Sequence, residues 1–167
     1  MCNEPRAFDF IVPELPQHPL TPGTELIPYD LLRRRIRGDL DWQFGLVRQL
    51  KSFCDLPIFH IEVPPPVASA DLMLRGVYGP FKEKMEQFGF PSISFRYKMW
   101  WLWVDLAKQF CAELGDHFVD APAETRDANG FLHERYYLDG VHGNDEYGAL
   151  IVREVAAARQ RLGIAGS

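Results

Sequence analysis

The stretch Pro57-Ile58-Phe59-His60-Ile61-Glu62-Val63 has the strongest strand pattern in the sequence, and it decides the fold class. It is short, largely apolar and partly β-branched, which favours an extended strand. Pro64-Pro65-Pro66 ends it abruptly, because proline lacks the N–H that a sheet ladder needs. Its near-continuous apolar character is typical of strands buried on both faces, so we expect a central parallel strand.

A long helix is predicted before this strand, over residues 29–53. Its apolar side chains recur every three to four residues with arginines opposite, which is the pattern of an amphipathic helix. Gly38 and Gly45 weaken the pattern. The predicted inward stripe consists of Leu32, Ile36, Leu40, Phe44, Val47 and Leu50.

A second long helix is predicted after the strand. Ser92 or Ser94 can cap its start, and Gly115 suits its end after about Leu114. One stripe of this helix holds Trp103, Val104, Ala107, Phe110, Cys111 and Leu114. Together with Trp100 and Trp101, Trp103 suggests a sugar-stacking platform. Aromatic residues at helical spacing are more often core, so we expect Trp103 to be buried and Trp100 or Trp101 to be partly exposed.

Shorter elements complete the pattern. We expect short strands over residues 8–12 and 117–120, a helix over residues 80–88, and a last helix from near Asn144. That last helix carries Tyr147, Leu150, Ile151 and Val155 inward. Strands that alternate with helices indicate an α/β fold with a parallel sheet, in one domain over residues 1–167.

Composition excludes several classes of function. The formal net charge of −5 argues against a general nucleic-acid binder, which needs a surplus of Lys and Arg. The cluster Arg33, Arg34, Arg35 and Arg37 is interpreted as a solvated helix face. No apolar run is long enough to span a bilayer, so no membrane partner is expected. The sequence does not open with a secretory signal pattern, which favours a cytoplasmic location.

Three widely spaced cysteines, Cys2, Cys54 and Cys111, do not form a disulfide framework. Buried, inert thiols in a reducing compartment are the expected interpretation. There is no C-x-x-C pair, and the remaining histidines His18, His117 and His133 have no metal-ligand spacing. No metal and no cofactor are therefore expected.

The segment that carries chemistry is Asp139-Gly140-Val141-His142. In a turn that leads into a helix, this spacing can bring the carboxylate against the near nitrogen of the imidazole. The far nitrogen is then able to accept a proton from a nucleophile, as in a Ser-His-Asp triad. The alternative is a polar turn with an exposed histidine, which short motifs often turn out to be.

The residues that follow suit a tuned base. Asn144 is a good N-cap, and Asp145 and Glu146 suit the first turn of a helix. A helix N-terminus disfavours a cationic histidine whereas a nearby carboxylate favours it. The two effects oppose one another, which is compatible with a base that works near neutral pH.

A longer string resembles the last conserved block of the SGNH/GDSL hydrolases. Its members here are Gly130-Phe131-Leu132, Tyr136, Asp139, His142, Asn144 and Tyr147-Gly148. The segments Phe118-Val119-Asp120-Ala121-Pro122, Pro64-Pro65-Pro66 and Pro5-Arg6-Ala7-Phe8-Asp9-Phe10 are similar to other parts of that family. The resemblance implies a flavodoxin-like αβα sandwich with a five-stranded parallel sheet. It also implies that Asp139 and His142 are catalytic.

The sequence departs from the family in its nucleophile and oxyanion blocks. The family's serine lies in a Gly-Asp-Ser motif after the first strand, and this string is absent. None of Ser52, Ser69, Ser92, Ser94 and Ser167 follows a first strand. Asn3 superficially echoes an oxyanion asparagine and is not assigned that role. We therefore expect a sandwich that lacks its first strands. Three explanations fit this expectation: Met1 is an internal start in a longer reading frame, the chain is a remnant, or a complementing chain or homodimer completes the sheet.

His60 and Glu62 form a further candidate pair on the strand over residues 57–63. At the carboxyl end of a parallel strand they are able to line an active-site crevice. The commoner arrangement is a hydrogen-bonded pair under a loop. A zinc deaminase is not indicated, since the P-C-x-x-C string is absent.

Two functions follow as expectations. The first is an SGNH-type ester hydrolase or acyl transferase for a small-molecule or carbohydrate ester, with His142 as base and Asp139 orienting it. The second is a non-catalytic binding or interaction protein that kept the scaffold and lost the nucleophile.

Overall fold

The computed structural model describes residues 7–164. The interpretations of Cys2, Asn3, Pro5, Arg6 and Ser167 concern residues outside that range. In chain order the elements are β1 (Phe8–Asp9), β2 (Glu25–Leu26), α1 (Tyr29–Lys51), β3 (Phe59–Ile61), α2 (Ala70–Gly76), α3 (Pro80–Phe88), α4 (Ile93–Leu114), β4 (His117–Val119), β5 (Tyr137–Asp139), β6 (His142–Gly143) and α5 (Asp145–Arg161). Within residues 7–164 the fold is thus a mixture of five α-helices and small two-stranded sheets, compatible with an α/β class.

The chain divides into two compact units. The first contains residues 7–56 and 91–110, and the second contains residues 57–90 and 111–164. The expectation of a single domain over residues 1–167 stays a prediction. Among the described helices, none combines the length and the apolar character that a bilayer crossing requires.

A buried ion pair anchors the first unit. Lys98 Nζ lies 2.6 Å from Asp9 Oδ1, and both side chains are fully buried. The ammonium also donates to the Phe10 carbonyl at 2.8 Å, while Asp9 accepts from the Phe10 and Thr21 N–H groups. Such a pair is stable only when its remaining donors and acceptors are satisfied, as they are here. It fixes the loop that follows β1, and β1 pairs in parallel with β2.

Helix α1 confirms the predicted helix and ends two residues earlier, at Lys51. Neither Gly38 nor Gly45 interrupts it. Leu32, Leu40 and Phe44 are buried as predicted. The inclusion of Leu50 in the inward stripe was wrong, because that side chain is exposed.

Helix α4 begins where Ser92 was expected to cap it. The Ser92 hydroxyl accepts the Phe95 N–H at 3.1 Å, and Gly115 follows the helix with a positive φ of 67°. Leu102, Val104, Leu106, Ala107, Phe110 and Cys111 are buried. Trp103 was predicted to be buried and is only half-buried, like Trp100 and Trp101, because the helix buries Leu102 and Leu106 instead.

The second unit contains the predicted parallel strands. β3 pairs with β4 in parallel, with Phe59 opposite His117 and Ile61 opposite Val119. The prediction of a central strand was wrong: among the described residues β3 has β4 as its one neighbour, and Ile61 is exposed. The core of this unit consists of Val67, Ala121, Leu132, Tyr136, Tyr147 and Ile151.

Candidate active site

Asp139 and His142 lie on the two strands of a small hairpin. β5 and β6 pair antiparallel, with Asp139 directly opposite His142, and the register shifts between Tyr137 and Asp139. Gly140 and Val141 form the connection. The prediction of a turn that leads straight into a helix therefore needs a correction, because His142 belongs to a strand and α5 begins only at Asp145.

The carboxylate–imidazole contact that the spacing predicts is present. Asp139 Oδ1 lies 2.6 Å from His142 Nδ1, a short distance typical of a charge-assisted hydrogen bond. An ionised carboxylate can only accept, so the proton of this bond sits on Nδ1. In a neutral ring, Nε2 then carries the lone pair, and among residues 7–164 it has no hydrogen-bond partner.

The hairpin keeps Asp139 in its ionised form. Desolvation raises the pKa of Asp139, but hydrogen bonds from the His142 ring and the Val141 N–H outweigh it and hold the pKa below its ordinary 3.8. The Asp139 side chain is 27% exposed and that of His142 is 67% exposed. The imidazole is therefore oriented by a partly covered carboxylate and open to a substrate.

Helix α2 supports the back of the hairpin through a glycine. A Cβ on Gly76, the last residue of α2, would lie 2.9 Å from the Asp139 Cα and would meet the Tyr137 ring as well. A Cβ on Gly140 would lie 3.0 Å from a Val77 methyl group. The contact at Gly76 is too close for a side chain, because it involves the Asp139 backbone, whereas the contact at Gly140 is tight and involves a side-chain methyl group. Glycine at position 76 therefore permits this approach of α2 to β5. Sequence reasoning missed α2 and Gly76; the available signal was Ser69, which caps α2 by accepting the Leu72 N–H.

The start of α5 fixes the other side of the hairpin. Asn144 Oδ1 accepts the Tyr147 N–H at 3.1 Å, which confirms the predicted N-cap. The Asn144 amide also donates to the Arg135 carbonyl at 2.6 Å. The Tyr147 side chain packs beneath Gly143, where a Cβ would lie 2.8 Å from the Tyr147 Cβ. The residue after His142 is thereby held against the first turn of the helix.

Burial also defines the chemistry of Tyr147. Burial, helped by the nearby Glu62 carboxylate, raises the pKa of its phenol to about 12. The hydroxyl has no hydrogen-bond partner within residues 7–164. Tyr147 is thus a neutral, buried support of the hairpin.

His60 and Glu62 do not form the pair that was expected. His60 Nε2 lies 3.2 Å from Asp116 Oδ2. Glu62 is buried, accepts the Ala121 N–H at 2.5 Å, and forms a salt bridge of 2.6 Å with Arg126. Each side chain therefore ties β3 to a neighbouring segment, and the interpretation of a mutually bonded pair was wrong.

Three of the four serines in the described range have hydroxyls that bond to backbone groups. Ser69 and Ser92 accept helix N-terminal N–H groups, and Ser52 donates to the Gln49 carbonyl at 2.7 Å. Within residues 7–164, no serine hydroxyl is hydrogen-bonded to His142.

No cluster of three or more metal-ligating side chains occurs in the described part of the chain. The two described cysteines, Cys54 and Cys111, are free thiols; Cys111 is buried and Cys54 is half-buried.

Comparison with known proteins gives no match to a family model, to a curated protein or to a solved structure. The site is therefore interpreted from its own geometry.

Proposed function

We propose that Asp139 and His142 are the acid and base of a serine-type ester hydrolase or acyl transferase of the SGNH/GDSL kind. The observation that carries this proposal is the 2.6 Å contact between Asp139 Oδ1 and His142 Nδ1, on a ring that is 67% exposed. A carboxylate that orients an imidazole in this way leaves Nε2 to accept a proton from a hydroxyl nucleophile.

The mechanism has two halves. In the first, His142 Nε2 takes the proton of a serine hydroxyl as its oxygen attacks the ester carbonyl, and then gives that proton to the departing alcohol. In the second, His142 activates water, or an acceptor alcohol in a transferase, to release the acyl group. Asp139 stays ionised throughout and stabilises the imidazolium, which agrees with its lowered pKa.

We propose a flavodoxin-like αβα sandwich as the framework for this site. In support, β3 and β4 are parallel, and α5 directly follows the hairpin that bears the base. The resemblance to the family is carried by the residues from Gly130 to Gly148. On this basis catalytic roles are proposed only for Asp139 and His142. We further propose a small-molecule or carbohydrate ester as the substrate.

The test is hydrolysis of p-nitrophenyl acetate together with labelling by a fluorophosphonate probe. Asp139→Asn is expected to lower kcat by roughly 10⁴-fold, because the ring loses the partner that fixes its tautomer. His142→Ala is expected to abolish both turnover and labelling. His133→Ala is the matched control, since His133 is an exposed histidine outside the hairpin.

Two results would contradict the proposal. One is hydrolysis that survives His142→Ala, which would place the chemistry elsewhere. The other is a folded protein that neither turns over esters nor reacts with the probe. Peptide mapping of the labelled protein identifies the serine.

The second candidate is a non-catalytic binding protein with the same scaffold. It is favoured by the structural use of Ser52, Ser69 and Ser92, whose hydroxyls bond to backbone groups. Under this alternative the protein is inert toward esters, and Asp139→Asn changes its stability but no reaction rate.

A further inference from the structure

Strand β3 has one open edge. On its other edge, the Ile58 carbonyl accepts a hydrogen bond from β4 at 3.0 Å, and the Glu62 N–H donates one to β4 at 2.9 Å. Backbone groups alternate between the two edges of a strand in a parallel ladder. The N–H and C=O groups of Phe59 and Ile61 therefore point away from β4.

These outward groups have no hydrogen-bond partner within residues 7–164. No hydrogen bond in that range reaches the backbone of Phe59 or Ile61 on the side away from β4. The Ile61 side chain is 47% exposed, so solvent reaches this part of the strand. The edge offers two donors and two acceptors in the repeat of a β-strand, and the backbone of another strand is the chemistry that satisfies such a row.

The sequence of β3 is that of an interior strand. Residues 57–63 are largely apolar, which is typical of strands buried inside a sheet. Natural edge strands usually carry a Lys, an inward-pointing charge or a bulge that prevents further pairing. Between Phe59 and Ile61 there is no Lys, Arg, Asp or Glu, and the register with β4 is regular. The sequence pattern and the open edge therefore both indicate a second neighbour for β3.

The open edge is short. Pro57 precedes Phe59 on the same edge and has no N–H, so the row of donors begins at Phe59. Pro64-Pro65-Pro66 follows the strand and limits it on the other side. A neighbouring strand can therefore bond to only a few residues of β3, and an identical strand has the same limits.

We propose that the open edge of β3 binds β3 of a second copy of the chain, about a two-fold axis at His60. A two-fold axis that joins two sheet edges reverses the strand direction, so the pairing is antiparallel. In that register Phe59 lies opposite Ile61 of the second copy, and the two residues exchange both N–H···O bonds. Every outward backbone group of Phe59 and Ile61 is then satisfied.

The side chains agree with the same register. Phe59 and Ile61 point to the same face of the sheet, because side chains alternate along a strand. The axis places each Phe59 ring beside an Ile61 of the other copy, and pairs of an aromatic and a β-branched residue stabilise antiparallel strands. His60 points to the opposite face, where its Nε2 lies 3.2 Å from Asp116 Oδ2 of its own chain.

Pairing places β3 in the interior of a four-stranded sheet, in the order β4, β3, β3, β4. This position matches the apolar sequence of residues 57–63, which β4 alone leaves at an edge. A strand of another protein would need an open edge of the same short length, whereas a second copy has one by symmetry. The proposal is independent of the catalytic roles of Asp139 and His142.

The first test is sedimentation velocity over a range of protein concentrations. The protein is expected to form a dimer as the concentration rises, and Ile61→Lys is expected to weaken the dimer roughly tenfold or more, because it places a charge on the paired edge. Val152→Lys is the matched control, since Val152 is an exposed apolar residue on α5. Circular dichroism checks that both variants remain folded.

The second test uses a synthetic peptide of residues 57–63 as a competitor. An excess of the unmodified peptide is expected to dissociate the dimer by pairing with β3. N-methylation of the peptide at Ile61 removes an N–H that bonds to the protein in the proposed register, so this peptide is expected to lose its effect. N-methylation at His60 is the matched control, because that N–H points away from the protein.

Four outcomes would overturn the proposal. A protein that stays monomeric at every concentration and does not bind the peptide would exclude strand pairing at this edge. A monomer that binds the peptide would assign the edge to a strand of another polypeptide. A dimer that Ile61→Lys leaves intact would place the interface on another surface. A dimer that both methylated peptides dissociate equally would exclude the register centred on His60.

Discussion

The ammonium of Lys98 holds the loop after β1 from inside the first unit. It contacts Asp9 Oδ1 at 2.6 Å and the Phe10 carbonyl at 2.8 Å, with no exposure to solvent. Lys98→Met removes the charge at similar length and leaves the Asp9 carboxylate buried without its cation. We expect the free energy of unfolding to fall by about 3–5 kcal/mol, measured by urea denaturation.

The stability that this ion pair contributes depends on pH. Burial raises the pKa of Asp9, but its bonds to Lys98, Thr21 and Phe10 outweigh this and hold the pKa below its ordinary 3.8. A lowered pKa in the folded state means that the stabilisation is present above pH 3.8 and is lost as the pH falls through the folded-state value. Equal stability of Lys98→Met and wild type at neutral pH would contradict this account.

At the scale of elements, Gly76 decides how closely α2 approaches β5. Gly76→Ala places a methyl group where the Asp139 backbone and the Tyr137 ring lie, so α2 and the hairpin must separate. We expect a loss of stability of about 1–3 kcal/mol from this overpacking. We also expect exchange broadening or a shift of the His142 ring resonances in NMR spectra.

Gly148→Ala in α5 is the matched control for Gly76→Ala. A Cβ on Gly148 would have no atom within 4 Å, and the position is inside a helix. Alanine is a better helix former, so we expect a gain of about 1 kcal/mol and unchanged His142 resonances. If Gly76→Ala were as harmless as Gly148→Ala, Gly76 would have no role in positioning the dyad.

The elements that sequence reasoning found are those with local signals. Helix α1 has a 3.6-residue apolar period, α4 has Ser92 and Gly115 at its ends, and α5 has the Asn144 cap. Strands β3 and β4 are short but bounded by proline or glycine. In these places periodicity, capping and turn residues agree, so the local sequence defines the element.

The elements that sequence reasoning missed depend on contacts between residues that are distant in the chain. Hairpin β5–β6 is held by Gly76 from α2 and by Tyr147 from α5, and neither contact leaves a periodic pattern. The Asp139–His142 contact was accessible because its partners are three residues apart, whereas Glu62 and Arg126 are 64 residues apart. For α1, the apolar period alone assigned Leu50 to the inward stripe, whereas the folded chain leaves that side chain exposed.

At the scale of the whole molecule, the buried phenol of Tyr147 makes the protein sensitive to alkali. Its folded-state pKa of about 12 exceeds the ordinary 10.0, so unfolding above pH 10 releases a proton. The free energy of unfolding therefore falls as the pH rises from 10.0 toward about 12, by roughly 3 kcal/mol in total. Burial raises the pKa of the Cys111 thiol to about 11, which adds to the same trend.

Tyr147→Phe separates the phenol from the other alkaline groups. The hydroxyl has no hydrogen-bond partner among residues 7–164, so we expect neutral-pH stability to stay equal or to rise by about 1 kcal/mol. Above pH 10 the advantage of the variant over wild type is expected to widen, as read from thermal denaturation at a series of pH values. A constant difference across that range would contradict the assignment.

The order in which the chain is synthesised matters because its two units are interleaved. Residues 91–110, which complete the first unit, emerge from the ribosome only after residues 57–90 of the second. The Phe10 carbonyl accepts a hydrogen bond from the Lys98 ammonium, which is translated 88 residues later. Domains usually fold in turn as they are made, but here the N-terminal loop remains untethered until α4 is translated. A nascent chain stopped at residue 90 holds parts of both units and the complete form of neither.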